Sequence, residues 1–324
     1  MKKTMRGVCA TMLALLAMLG IAQAQDYPNR PIRVVVPWPP GGPSDIISRM
    51  ATQRMTEDFR QSTIVDNRPG ANGIIGADIV AKAAPDGYTL VIDNVTGHAI
   101  NVSLYRKLPF NLLEDFAPVS LMAFANNILV VHPSTPVASV KDVIAEAKAK
   151  PGQLAYASFG TGSTAHLAGE LFKTMAGVEM THVPYKGGAP ALADLMGGRV
   201  YLMFASLPSA ISFVRGGKLK ALATTGAKRS AVTANLPTMI ESGLPGFEET
   251  SYYGAMFPAN TPNAVVLRMN KEINAIVTAP ETRAKLEELA FDVAGSTPEE
   301  FRRHMKNEIV KYAKIVKESG AQLD

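Results

Sequence analysis

Residues 32–50 read IRVVVPWPPGGPSDIISRM, and the order of residue types in this stretch predicts a strand, a loop and a helix. The run Ile32–Val36 is apolar apart from Arg33, which is typical of a buried strand. Proline and glycine between positions 37 and 43 break the strand, and Ser44 can cap a helix that extends to about Phe59. A strand followed by a helix is the repeating unit of an α/β fold.

The same alternation continues along the chain. After residue 60, we predict strands at 63–65, 89–93, 128–131, 154–157, 180–183, 200–204 and 219–224, with helices at 73–84, 140–150, 189–196, 207–214, 263–278, 281–289 and 298–319. With 324 residues, 47% of them hydrophobic, the chain excludes general disorder and fits two lobes, each a mainly parallel sheet flanked by helices. The predicted boundaries are 25–125 plus 235–324 for lobe 1 and 126–234 for lobe 2.

The first 24 residues have the composition of a secretory signal peptide. Lys2, Lys3 and Arg6 precede an apolar run at 8–21, and Ala22-Gln23-Ala24 supplies a small-x-small cleavage site. No later apolar stretch approaches the roughly 20 residues of a membrane-spanning helix. We therefore predict cleavage after Ala24 and an exported protein that is not embedded in a membrane.

Charge and cysteine content exclude several classes of partner and chemistry. The chain has 33 basic and 28 acidic residues, and the leader holds three of the basic ones and no acid, so the mature chain has a charge of 30 − 28 = +2. A balance so close to neutral argues against nucleic acid or an anionic lipid surface as a partner. The single cysteine, Cys9, also lies in the leader, so no disulfide, thiolate nucleophile or cysteine metal site is expected in the mature protein.

Two glycine-containing loops, 39–45 and 159–166, each follow a predicted strand and lead into a helix. Free amides and the helix dipole at such a position attract a carboxylate or a phosphate, although the glycines could also serve only a tight turn. In the first loop, Asp45 could stabilise the helix start or receive a ligand amine or a water. Thr96 and His98 follow another strand end and could reach the same cleft, or Thr96 could belong to a glycosylation sequon with Asn94.

The second loop, Gly160-Thr161-Gly162-Ser163-Thr164-Ala165, fits the relaxed dinucleotide pattern G-x-G-x-x-A. The next strand should then end in an acidic residue for the ribose, but it ends in Pro184-Tyr185-Lys186. No nucleotide cofactor is therefore expected.

Catalytic and metal-binding patterns are weak. The five histidines, His98, His132, His166, His182 and His304, show no convincing metal-ligand spacing. Ser163 and His166 could form a nucleophile and base in a secreted serine hydrolase, but no G-x-S-x-G motif accompanies them. Ser163 is better explained as a helix cap or ligand donor, and His166 as a residue that orients the loop, so we predict neither an enzyme nor a metal protein.

Many short motifs, in one order from residue 27 to the final helix, resemble the substrate-binding receptors of tripartite tricarboxylate transporters, the Bug receptors. They are Tyr27-Pro28-Asn29-Arg30-Pro31-Ile32, Pro39-Pro40-Gly41-Gly42 with Asp45, Asn67-Arg68-Pro69-Gly70, Asp86-Gly87-Tyr88-Thr89-Leu90, Asp115-Phe116-Ala117-Pro118-Val119, Gly160-Thr161-Gly162-Ser163 with His166-Leu167-Ala168-Gly169-Glu170-Leu171-Phe172, Val183-Pro184-Tyr185-Lys186-Gly187, and Ser242-Gly243-Leu244-Pro245-Gly246-Phe247. No single motif is decisive, but their number and their common order distinguish the resemblance from a chance match.

The resemblance implies a type II-like periplasmic binding protein that closes on a small organic carboxylate and presents it to a two-subunit inner-membrane permease. It also implies that the two glycine loops hold the carboxylate, partly through ordered water. A ligand sensor for a membrane kinase is an alternative role. The predicted ligand-binding residues are Pro40, Gly41, Gly42, Ser44, Asp45, Thr96, His98, Phe159, Gly160, Thr161, Gly162, Ser163, His166, Tyr185 and Ala205.

The sequence departs from the family pattern at three positions. Asn111 stands where an aspartate is common, Tyr253 where a tryptophan is common, and Ala205 where a polar residue often faces the ligand. The loss of a polar contact at Ala205 would favour a less polar acid.

Overall fold

A computed structural model describes residues 27–319. The strands are β1 (Ile32–Val36), β2 (Thr63–Asn67), β3 (Thr89–Asn94), β4 (Phe116–Val131), β5 (Ala155–Ser158), β6 (Thr181–Pro184), β7 (Leu202–Ser206), β8 (Lys220–Thr224), β9 (Thr250–Pro258) and β10 (Asp292–Val293). The helices are α1 (Pro43–Phe59), α2 (Ile74–Ala81), α3 (Val95–Leu104), α4 (Val140–Ala149), α5 (Thr164–Ala176), α6 (Gly188–Met196), α7 (Leu207–Arg215), α8 (Asn263–Thr278), α9 (Pro280–Glu288) and α10 (Pro298–Ser319). Short 3₁₀ turns lie at Ala71–Gly73 and Ala231–Thr233.

The strands form a continuous mixed sheet in the order β2-β1-β3-β9-β4-β7-β5-β6, with β8 and β10 also paired to β4. The outer pairs β1–β2, β1–β3, β5–β6 and β5–β7 are parallel, whereas every pairing of β4 and β9 is antiparallel. The α/β fold class is confirmed, and the antiparallel strands are the ones that join the two halves.

Strand β4 belongs to both halves of the sheet. Its residues up to Asn126 pair with β9, and those from Asn127 pair with β7 and β8. We call the half with β1, β2, β3, β9 and β10 lobe 1 and the half with β5, β6, β7 and β8 lobe 2. The chain thus passes from lobe 1 to lobe 2 at Asn126–Asn127, and it re-enters lobe 1 at Thr250, which pairs with Asn126.

Buried apolar clusters cover both faces of the sheet in each lobe. In lobe 1, Ile47 of α1 and Met269 of α8 pack with Val34 on one face, and Phe301 of α10 packs with Val35 on the other. A sheet covered on both faces explains the apolar strand runs in the sequence. In lobe 2 the two clusters are centred on Leu129, Tyr156 and Phe204, and on Ile128, Met203 and Ile211.

The segment between β8 and β9 has little regular structure but packs firmly. Met239, Leu244 and Phe247 join the cluster of lobe 2 that contains Phe204. The predicted boundary placed residues 235–249 of this segment in lobe 1 and residues 225–234 in lobe 2, and the boundaries between the lobes stay a prediction.

Two expectations about helix starts had different outcomes. Ser163 is the N-cap of α5, and its hydroxyl accepts a hydrogen bond from the amide of His166, as expected. Ser44 is not the cap of α1: Gly42 holds that position, and the Ser44 hydroxyl donates to Asp93 instead. The reason is that Pro43 already occupies the first turn, which places Ser44 inside the helix.

The predicted signal peptide and its cleavage site lie outside the described residues. Within residues 27–319, no helix combines the length and the apolar character needed to cross a membrane.

Candidate ligand-binding site

A cavity of about 220 Å³ lies between the two lobes. Lobe 1 and its connections contribute Trp38, Pro39, Pro40, Gly41, Gly42, Pro43, Ser44, Asn72, Asn94, Gly97 and Tyr253. Lobe 2 contributes Phe159, Ser163, Thr164, Gly187, Gly188, Ala189, Leu192, Met196, Ser206, Ser209 and Phe213. The site therefore needs both lobes to be complete.

Five α-helices begin at this cavity. The lining residues include the N-caps of α1, α3, α5, α6 and α7, which are Gly42, Asn94, Ser163, Gly187 and Ser206. These helices follow β1, β3, β5, β6 and β7. Within each lobe those strands are parallel, so their carboxyl ends, and the helices that begin there, lie at one edge of the sheet. The positive ends of five helix dipoles consequently meet around one space.

None of the described residues that line the cavity is charged. The positive potential must come from helix dipoles and from amides in the first turns, such as those of Ser44 and Thr164, which have no acceptor within their own helices. Each helix end stabilises a nearby anion by about 0.3–1 kcal/mol, and by up to about 2 kcal/mol when partly buried. Together the five helix ends favour an anion without a lysine or arginine, although the Asp45 carboxylate in the first turn of α1 offsets part of the contribution of that helix.

Asp45 holds the first glycine loop in place from behind. Its carboxylate accepts hydrogen bonds from the Gly41 amide at 3.0 Å, from Arg49 Nε at 2.9 Å and from Asn67 Nδ2 at 2.9 Å. Burial alone would raise the pKa of Asp45, but these hydrogen bonds hold the pKa below its usual value. Asp45 does not line the cavity, and it stabilises the loop rather than opposing an anionic ligand directly.

Replacing Asp45 with alanine should loosen this loop. We expect Asp45→Ala to lower the free energy of unfolding by about 2–3 kcal/mol, because buried hydrogen bonds to a charged group are lost. Ligand affinity should fall about 10-fold, since the loop then has to be ordered on binding. Urea denaturation and ligand titration measure the two effects.

Arg49→Ala is the matched control. It removes a partner of the same carboxylate, but the Arg49 side chain is 54% exposed, and we expect a loss below about 1 kcal/mol. Equal effects of the two variants would contradict the role assigned to Asp45.

A second buried carboxylate, Asp93, lies at the end of β3 and fixes residues that line the cavity. Its Oδ1 accepts hydrogen bonds from Trp38 Nε1 at 2.5 Å and from Ser44 Oγ at 3.3 Å. Its Oδ2 lies 2.6 Å from His98 Nε2, and both side chains are buried. His98 therefore lies behind the cavity wall and contacts Asp93 rather than the cavity.

The second glycine loop uses its own amides internally. The Gly160 amide donates to Ser158 Oγ at 3.1 Å, and the Gly162 amide donates to His166 Nδ1 at 3.2 Å. The ring of His166 stacks on His182 at 4.1 Å. These contacts fix the shape of the loop from within the protein.

Burial, with a smaller effect of the neighbouring His166, lowers the pKa of His182 to about 4. Burial also lowers the pKa of His166. Both rings are therefore neutral at pH 7, and they add no cation to the site.

The geometry does not assemble a serine-hydrolase centre. Ser163 Oγ donates to the Gly160 carbonyl at 2.6 Å and accepts from the His166 backbone amide, and His166 Nδ1 is taken by the Gly162 amide. A nucleophile requires its hydroxyl to contact the base side chain. Among residues 27–319 there is also no cluster of three or more His, Cys, Asp or Glu residues suited to a metal ion.

Six of the predicted site residues line the cavity: Pro40, Gly41, Gly42, Ser44, Phe159 and Ser163. The other nine, Asp45, Thr96, His98, Gly160, Thr161, Gly162, His166, Tyr185 and Ala205, do not. Whether the six contact a ligand stays a prediction.

Three of the nine face other parts of the fold. The Thr96 hydroxyl contacts the Thr250 carbonyl and Glu308, and the Tyr185 hydroxyl donates to Asp194. Ala205 is fully buried in an apolar cluster of lobe 2. An alanine at this position therefore says little about the polarity of the ligand.

Gly162 lies at a contact between the lobes. Asn72 Nδ2 donates to the Gly162 carbonyl at 2.8 Å and to Asn101 Oδ1 at 2.7 Å. A Cβ on Gly162 would come within 2.9 Å of Leu104 Cδ2. This loop is thus part of the contact surface between the lobes.

Sequence reasoning missed much of the cavity wall, notably Asn72, Asn94, Leu192, Phe213 and Tyr253. The carboxyl end of each parallel strand was a usable signal for Asn94 and for residues 187–189 and 206–209. The side chains farther along α6 and α7 had no comparable signal, because their positions depend on how those helices pack.

The fold and the cavity are those of a two-lobed solute-binding protein with a cavity between its lobes. The chain belongs to the tripartite tricarboxylate transporter family receptors, whose family model matches residues 47–321. The resemblance identified in the sequence is thereby confirmed.

Individual relatives agree with this assignment. Protein BugT of Bordetella pertussis is 36% identical, with 96% of this chain and 99% of that protein covered. The structure of R. palustris Rpa4515 with adipate is 40% identical, has a TM-score of 0.89, and covers 91% of this chain and 99% of its own. The structure of MatC from Rhodopseudomonas palustris with bound malate is 30% identical, has a TM-score of 0.85, and covers 90% of this chain and all of its own.

Proposed function

We propose that this chain is a periplasmic, non-enzymatic receptor that captures a small carboxylate-bearing acid between its lobes and delivers it to a tripartite transporter permease. The observation that carries the proposal is the convergence of five helix N-termini on a cavity whose described lining side chains are uncharged. Such a site favours an anion and offers no countercharge to a cation. The relatives whose structures hold adipate and malate support a carboxylate ligand.

Capture follows from groups that both lobes supply. Helices α1 and α5 begin at the same cavity from opposite lobes, and the amides of their first turns have no acceptor within their own helices. A hydrogen bond to a charged group contributes about 1.5–3 kcal/mol, so three or four contribute roughly 5–12 kcal/mol. A micromolar dissociation constant corresponds to about −8 kcal/mol, so burial of apolar ligand surface has to offset much of the cost of association. The ligand favours the closed form because only that form lets both lobes contact the carboxylate.

Delivery to a permease and location in the periplasm are supported by the family and by the predicted signal peptide. A receptor that releases its ligand unchanged needs no catalytic group, and the arrangement of Ser163 and His166 described above is consistent with this.

A comparison of acids with their uncharged analogues tests the site. Trp38 is the one tryptophan of the chain and lines the cavity, so its fluorescence reports binding directly. We expect benzoate and hexanoate to bind at least about 30-fold more tightly than benzamide and hexanamide, because the neutral amides gain little from the helix dipoles. Trp38→Phe is the control for the optical signal. This variant should lose the fluorescence change while isothermal titration still detects binding of the acids. Amides that bind as well as the acids, or a complete absence of binding by acids, would refute the proposed carboxylate site.

A further inference from the structure

The cavity has two unlike ends, and the helices α6 and α7 contribute to both. Along α6, Ala189, Leu192 and Met196 line the cavity at helical spacing. Along α7, Ser206, Ser209 and Phe213 do the same. Each helix therefore presents its N-terminus at one end of the cavity and apolar side chains one to two turns further along.

We define the polar end by the five helix N-termini and the apolar end by Leu192, Met196 and Phe213. At 1.5 Å per residue, Met196 lies about 12 Å along α6 from Gly188, and Phe213 lies about 10 Å along α7 from Ser206. Leu192 is buried, and Met196 and Phe213 are half-buried. Among the residues of α7 that line the cavity, Ser209 has the hydroxyl nearest to the apolar end, one turn before Phe213.

We propose that the ligand is a monocarboxylate with an apolar body, bound with its carboxylate at the polar end and its body between α6 and α7. This inference rests on the proposed function and specifies its ligand class. A second carboxylate at the apolar end would lose water without gaining a cation or a helix N-terminus among the described lining residues. The aromatic rings of Trp38, Phe159 and Tyr253 on the remaining wall favour the same kind of ligand body.

Two matched pairs of acids separate this inference from the proposed function. Hexanoate and adipate share a six-carbon chain and differ only in one terminal group, and benzoate and terephthalate differ in the same way. We expect each monocarboxylate to bind at least about 10-fold more tightly than its dicarboxylate partner, because the second charge is desolvated without compensation. Dicarboxylates that bind equally well or better would overturn the inference while leaving carboxylate capture intact. If neither member of either pair binds, the proposed function itself fails.

A charge introduced at the apolar end gives an independent test. Met196→Lys places an ammonium group beside the expected ligand tail on a half-buried position. We expect this variant to reverse the selectivity, with adipate binding more tightly than hexanoate.

Ala193→Lys is the control, because residue 193 lies on the same helix, is exposed and does not line the cavity. Its selectivity should equal that of the wild type. An unchanged selectivity in Met196→Lys, with binding retained, would show that the ligand tail does not reach this end of the cavity and would contradict the inference.

Discussion

Gly162→Val is expected to weaken ligand binding by at least about 100-fold, or roughly 2.7 kcal/mol, while the protein remains folded. Gly162 has φ = +83°, and an added Cβ would lie 2.9 Å from Leu104 Cδ2 and 3.2 Å from Asn72 Nδ2. Leu104 and Asn72 belong to lobe 1, whereas Gly162 belongs to the loop between β5 and α5 in lobe 2. The larger side chain should therefore hold the lobes apart and prevent the closed form from forming.

The strain of valine at a positive φ has to be separated from this clash. Gly152 provides the control, because its φ is +72° and a Cβ there would meet no atom within 4 Å. Gly152→Val should lower stability by a similar amount, on the order of 1–2 kcal/mol, without changing affinity. Titration and urea denaturation of both variants provide the comparison. If Gly162→Val binds as tightly as Gly152→Val, the contact between the lobes does not control binding.

The sequence was sufficient to locate most helices and the outer strands, because their apolar patterns reflect local burial. It did not reveal β9, most of β4, or α3. Strand β9 contains Gly254, which interrupts the pattern because Phe301 of α10 packs directly on that backbone: a Cβ there would be 2.2 Å from Phe301 Cζ. Tertiary packing requires a glycine at this position, and no pattern within the strand itself could reveal that requirement.

The candidate site shows the same limit. Both glycine loops were located correctly at the ends of strands, yet their glycine amides do not all point to the cavity. Those of Gly41, Gly160 and Gly162 donate to Asp45, Ser158 and His166. Local spacing can indicate that a loop leads into a helix, but it cannot show which donors the rest of the fold has already used. The division between residues that shape the site and residues that line it required the three-dimensional contacts.

Glu249 should make the stability of the protein fall as the pH rises. This glutamate lies where the chain returns to lobe 1, is 2% exposed, and its backbone amide donates to the Thr225 carbonyl at 3.0 Å. Burial raises its pKa to about 8, and the nearby Lys311, Ser251 and Thr225 offset only part of that effect. The protonated form therefore stabilises the folded state.

The sign and the pH range follow from the two pKa values. The ordinary pKa is 4.5 and the folded-state pKa is about 8. The contribution of Glu249 is fully present below pH 4.5 and is lost as the pH rises through about 8. Because each pH unit in this range costs up to about 1.4 kcal/mol, the total loss is on the order of 3–5 kcal/mol. Burial also raises the pKa of Glu308 to about 7. Ionisation of Glu308 therefore lowers stability as the pH rises, as ionisation of Glu249 does, but its effect is complete at a lower pH.

Urea denaturation of ligand-free protein from pH 5 to pH 9 measures this loss. Glu249→Gln retains a similar shape and cannot ionise, so the decline of its unfolding free energy should be smaller than that of the wild type by most of the stated amount. Glu281→Gln is the control, because Glu281 is exposed and hydrogen bonds from Lys285 lower its pKa; its decline should match that of the wild type. A Glu249→Gln profile parallel to the wild type would mean that Glu249 is already ionised in the folded protein at pH 5. In that case the structure would have to supply the buried carboxylate with more hydrogen bonds than those from Ser251 and Thr225, because an ionised group with so few partners is costly to bury.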